Sequence, residues 1–183
     1  LAADFAPSNL AELPDASWVE PHVNHRVDAR IVEDLTAMLT AAEAAGTHPI
    51  ICSSFRTCDY QENLFENRIE RAEREEHLEG IEAEEAAAFW VAPPGASEHQ
   101  TGLAFDLNEV SDAFIGTPEA EWLAAHAHEY GFIIRYPADK VEITGYKYEP
   151  WHVRYLGKET AAAVYESGLC LEEYLGIDSV YAD

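Results

Sequence analysis

The chain has 183 residues, 48% of them apolar, with four Trp, nine Tyr and seven Phe; this suffices for one substantial core and excludes a disordered chain. Thirty-five Asp and Glu against eleven Lys and Arg leave a formal net charge of −24 at pH 7. Such a surface repels nucleic acid and anionic lipid, so DNA and RNA binding are set aside. No apolar run approaches the ~20 residues of a membrane span. Because the chain opens on Leu1 rather than Met, the lack of a visible signal-peptide pattern says nothing about targeting.

Residues 1–27 carry Pro7, Pro14 and Pro21 with little periodicity and read as an extended N-terminal arm packed on a domain spanning 28–183. From Asp28, the spacing of Ile31, Leu35, Met38, Leu39 and Ala42 predicts a helix stopped near Gly46. "HPIICSS" reads as a short buried strand, in which Cys52 is a core thiol. A second helix is expected from Asp59, running as a charged, solvent-facing segment through 66–79 to Gly80. There Arg68, Arg71 and Arg74 find i,i+3 and i,i+4 partners among many Glu. "EAEEAAAFW" is a further short helix, "APPGASE" a loop, and "LAFDL" a strand. Thr117-Pro118 opens a helix that closes at Gly131, with Pro in its first turn and acids at its positive end. "FIIRY" and "WHVRYL" are strands, and "KETAAAVYES" is a last helix stopped by Gly168. Helices and strands mix without βαβ alternation, which predicts an α+β fold with a largely antiparallel sheet. The three cysteines have no CxxC spacing; their odd number leaves at least one unpaired, and a Cys52–Cys58 bridge stays open.

Six of the eight histidines (His22, His25, His48, His77, His126 and His128) lack a paired ligand pattern. His99 and His152 differ. His99 lies in "SEHQTGLAFD" with Asp106 seven residues on, and His152 lies in "YEPWH" with Glu149 three residues before it. Two imidazoles and a carboxylate suit a Zn²⁺ site that leaves a position for water, and a further carboxylate nearby suits a general base. For these groups to meet, the chain must bend at Thr101-Gly102 and turn at Pro150, since on a regular strand Glu149 and His152 would face opposite ways. Arg56, alone among small and aromatic residues in "SSFRT", is the cation that metal-assisted amide hydrolysis calls for.

Together "SSFRTCDYQ", "PGASEHQTGLAFDL", "YGFIIRYPADKVEITGYKYEPWHVRYLG" and "LEEYL" resemble the VanY-type D-alanyl-D-alanine carboxypeptidases, over roughly residues 28 to 176. That family belongs to a wider zinc group with LD-carboxypeptidases and the hedgehog signalling-domain fold. The resemblance implies one domain whose central, mainly antiparallel sheet is flanked by helices, and a Zn²⁺ ion held by His99, Asp106 and His152. It implies Glu149 as general base and then acid, and Arg56 on the scissile carbonyl oxygen or the terminal carboxylate. Ser97 and Gln61 would line the substrate groove, and Trp151 would shape its wall. The family more often has Tyr where Phe55 stands, which removes a hydroxyl and leaves Arg56 untouched. The implied substrates are peptidoglycan stem peptides, and the implied location is extracytoplasmic. Two alternatives stay open: an LD-carboxypeptidase acting on tetrapeptide stems, and a non-catalytic, zinc-stabilised cell-wall-binding module. A structural zinc site needs neither a base nor an oxyanion partner, so Glu149 and Arg56 argue against the second.

Overall fold

In the structure, a computed structural model that describes residues 1–178, the helix expected from Asp28 starts with a cap and a tight turn. The Asp28 carboxylate accepts from the Arg30 N–H at 2.9 Å, a 3-10 turn covers Ala29–Ile31, and helix α1 runs over Val32–Ala44. Its buried residues Leu35, Met38, Leu39 and Ala42 recur at the three-and-four spacing of one helical face. Burying each of the larger three stabilises the fold by roughly 1.5–3 kcal/mol relative to exposure.

Helix α2 (Cys58–Arg71) begins where the Thr57 hydroxyl accepts from the Tyr60 N–H. The charged run does not stay helical to Gly80. It passes through a π turn at Ala72–Glu76 and stops at His77 in the left-handed conformation. Nor is it merely a solvated face: the Arg68 guanidinium lies over the Trp90 ring at 5.4 Å and pairs with Glu76 at 2.7 Å. Helices α3 (Ile81–Ala88), α4 (Pro118–His126), α5 (Val141–Thr144), α6 (Lys158–Ser167) and α7 (Leu171–Leu175) follow. Thr117 caps α4 through the Ala120 N–H, with Pro118 in the first turn.

Strands β1 (Leu10–Glu12) and β2 (Arg26–Asp28) form a small antiparallel pair. Strands β3 (Ile51–Ser53), β4 (Ala104–Leu107), β5 (Phe132–Ile134) and β6 (His152–Tyr155) form the main sheet. Its order is β3-β4-β6-β5, with every neighbour antiparallel. Phe105 and Leu107 of β4 and Val153 of β6 point into one core with Leu35, Met38, Phe132 and Trp151. The stretch read as an N-terminal arm contributes Trp18 to that core, and Val19 bridges Ile51 along the outer edge of β3. An open strand edge is thereby covered.

Cys52 is not the buried core thiol expected from its apolar run; it is half-buried, and all three cysteines are free. Successive side chains on a strand alternate faces. Ile51 takes the core side, and Cys52 turns to the groove described below. Among the described residues no helix is long and apolar enough to cross a membrane.

Candidate active site

Alternation on β4 and β6 sends Phe105 and Val153 into the core and turns Asp106 and His152 to the opposite face. The two are direct cross-strand partners, and His152 Nδ1 lies 2.9 Å from Asp106 Oδ1. His99 reaches the same point from a 3-10 turn at Glu98–Thr101. That turn ends at Gly102, whose φ of +68° and N–H donation to the His99 carbonyl reverse the chain into β4. A Cβ at Gly102 would sit 2.8 Å from the backbone nitrogen of Asp28, so the bend needs glycine both for its dihedral and for its space.

His99, Asp106 and His152 are all buried and can each offer one donor atom, all within 4.8 Å of one another. His99 Nδ1 faces the Ser54 carbonyl at 2.7 Å. A carbonyl only accepts, so Nδ1 carries the proton and Nε2 presents a lone pair. Burial, with the Arg56 charge, lowers the His99 pKa to about 4, so this ring is neutral. Its bare Nε2 is 3.2 Å from Asp106 Oδ2. Two acceptors facing one another with no proton between them leave a place for a cation, and the donor types suit zinc.

Glu149 sits in the turn before β6. Its N–H donates to the Tyr136 carbonyl and its carbonyl accepts from the His152 N–H, which is the bend that Pro150 led one to expect. Burial raises its pKa to about 7, aided by the Asp106 charge and opposed by His152, Arg56 and Lys147. The Arg56 guanidinium donates to Ser53 Oγ at 2.9 Å and to Gln61 Oε1 at 3.3 Å, and pairs with Asp106. Gln61 is held in turn by the Ala92 carbonyl at 2.7 Å. Asp106 lies well below the usual carboxylate range: burial opposes this, but His99, Arg56 and the His152 hydrogen bond outweigh it. His152 goes the other way. Burial disfavours its charge, yet its hydrogen bond to Asp106 and the nearby Glu98 carboxylate raise it to about 9.

All eight residues singled out in the sequence (Arg56, Gln61, Ser97, His99, Asp106, Glu149, Trp151 and His152) line one groove of about 330 Å³. The same groove exposes others that sequence reasoning passed over. Tyr136 stacks on the His152 ring at 5.2 Å, and Glu98 lies beneath His152. Glu98 is the neighbour of His99 in the motif itself, but in a chain with 35 acids nothing local marks it. Arg135 and Arg154 are both engaged by Glu98, at 2.8 and 3.0 Å.

Three donors converging on one point at the side of an open groove leave coordination room, as catalytic rather than structural metal sites do. With a buried acid of raised pKa beside them, fold and site have the make-up of a metal-dependent hydrolase centre. A family model for VanY, D-alanyl-D-alanine carboxypeptidase, matches residues 24–158, and the chain belongs to that family. It is 42% identical over 153 residues to a D-alanyl-D-alanine carboxypeptidase of Enterococcus faecalis, covering 84% of this chain and 57% of that protein. The chain thus spans less than two thirds of that relative's length. Among solved structures it resembles the vancomycin resistance D,D-pentapeptidase VanY of a VanB-type cassette in complex with Zn(II), at 41% identity and a TM-score of 0.76. That match covers 90% of this chain and 93% of the other. It also resembles the LdcB LD-carboxypeptidase, at 34% identity and a TM-score of 0.82, over 98% of this chain and 83% of the other. The α+β fold with an antiparallel sheet is therefore the fold of these peptidases.

Proposed function

We propose that the chain is a zinc-dependent D-alanyl-D-alanine carboxypeptidase that removes the terminal D-Ala from peptidoglycan stem peptides outside the cytoplasm. The observation that carries this reading is the buried trio His99, Asp106 and His152 beside Glu149 in one groove. The metal would be held by His99 Nε2, Asp106 and His152 Nδ1, the atoms that face one another. Zinc supplies Lewis acidity there, polarising a carbonyl and acidifying water.

The residues do the rest. Glu149, with a pKa near neutrality, takes a proton from the attacking water and returns it to the leaving D-Ala amine. A substrate ending in a carboxylate needs a cation inside this acidic molecule. Arg56 provides it, aimed by Ser53 and Gln61, and offsets either that carboxylate or the developing oxyanion. Ser97 and Trp151 line the groove beside these groups. Zinc-loaded protein given stems ending in Lys-D-Ala-D-Ala and in Lys-D-Ala tests the reading by mass spectrometry of released D-Ala. Release from the pentapeptide alone supports it. Release from the tetrapeptide alone replaces it with the LD activity that the likeness to LdcB favours. Release from neither leaves a binding module, and activity that survives chelation removes the metal from the mechanism.

A further inference from the structure

Glu98 is the next residue to a proposed ligand, and its two oxygens have different surroundings. Oε1 is taken by Arg135 Nε at 2.8 Å and Arg154 at 3.0 Å. Oε2 is buried without a hydrogen-bond partner, and so is His152 Nε2; the two atoms are 3.7 Å apart. Arg135 cannot drift, because Glu172 of α7 grips its other nitrogens at 2.9 and 2.5 Å. All three side chains are shielded from water. A buried Arg135–Glu172 pair is already balanced in charge. A second buried carboxylate brought to the same arginine, with one oxygen left unpaired, is costly unless that oxygen has a donor to meet. The donor facing it is on the ring whose other nitrogen points at Asp106.

We propose that Glu98 is a positioning residue: its Oε2 receives the Nε2 proton of His152, selecting the tautomer whose Nδ1 faces the metal, while Arg135 and Glu172 hold Glu98 in place. Helix α7, more than seventy residues along the chain from His99, thereby becomes part of the metal centre's support. A histidine ligand anchored through its second nitrogen by a carboxylate has a fixed ring orientation and a more basic donor atom.

This inference rests on the metal reading above, and the experiment separates the two. Zinc affinity is measured by competition with a chromogenic chelator, and the visible spectrum of the Co²⁺-substituted protein is recorded, for wild type, Glu98→Gln, Glu98→Ala and Glu172→Gln. The expected result is a loss of about 10–100-fold in zinc affinity for both Glu98 variants, with an altered Co²⁺ spectrum and a fall in kcat at little changed KM. Glu172→Gln, remote from the metal, should move the same readouts in the same direction by less. Glu98→Gln preserves shape and keeps the test valid should the alanine variant fail to fold. Wild-type affinity and spectrum in Glu98→Gln would overturn the role of Glu98 while leaving the metal site standing. A wild type that binds neither ion would overturn both.

Discussion

Glu149 is one acid among 35, and burial next to Asp106 is what separates it from the rest by raising its pKa. Replacing it with glutamine keeps the shape and removes the proton acceptor. Glu149→Gln should lower kcat for D-Ala release by about 10²–10⁴-fold while zinc affinity, measured by chelator competition, stays near wild type. That His99, Asp106, His152 and Glu149 meet in one groove was legible in the sequence because two motifs some forty residues apart supplied complementary halves of one site. Glu98 was not. Its role depends on which nitrogen of His152 faces it, and that follows from the β4–β6 register and from a helix near the chain's end. Cys52 was misjudged for a related reason: an apolar run of three residues does not say which of them faces the core.

At the scale of elements, caps and breakers were the readable part. Thr117, Gly46 and Gly168 each stand at the end where the structure puts a helix boundary. The π turn at Ala72–Glu76 and the pairing of β1 with β2 were not readable, because neither has a local pattern that outweighs its surroundings. The turn at Gly102 joins local conformation to the site. Gly102→Ala forces a Cβ against the Asp28 backbone at a positive φ. It should cost at least about 1–3 kcal/mol in urea unfolding and weaken zinc binding, since His99 lies on the displaced turn. A second joint ties α1 to β6, where the Tyr155 hydroxyl donates to Asp34 at 2.7 Å. That bond, with some burial, raises the Tyr155 pKa from 10.0 to about 12. A raised folded-state pKa gives stability that is complete below the unfolded value and is lost as pH climbs through the folded one. The stability advantage of wild type over Asp34→Asn should therefore hold steady up to about pH 10 and shrink toward pH 12, as followed by urea unfolding at each pH.

For the whole molecule, the charge of −24 and the proposed anionic substrate work against each other. Salt shortens the reach of that repulsion to a Debye length of roughly 10 Å at 0.1 M. For a blocked peptide whose sole charge is its terminal carboxylate, kcat/KM should rise roughly twofold to fivefold between low and moderate salt, as steady-state kinetics would show. A flat or falling profile would mean that Arg56 already dominates the field at the groove mouth. The pairing of Asp106 with His152 across β4 and β6 carries a further consequence for how the chain reaches its shape. Slipping those strands by one residue would turn Asp106 inward and Phe105 outward, and the trio of donors would no longer exist. An ion that binds the aligned sheet alone withdraws correctly paired chains from the exchanging population by mass action. Zinc would then proofread strand alignment, and refolding with the ion present from the outset should recover more active protein than adding it after folding is over.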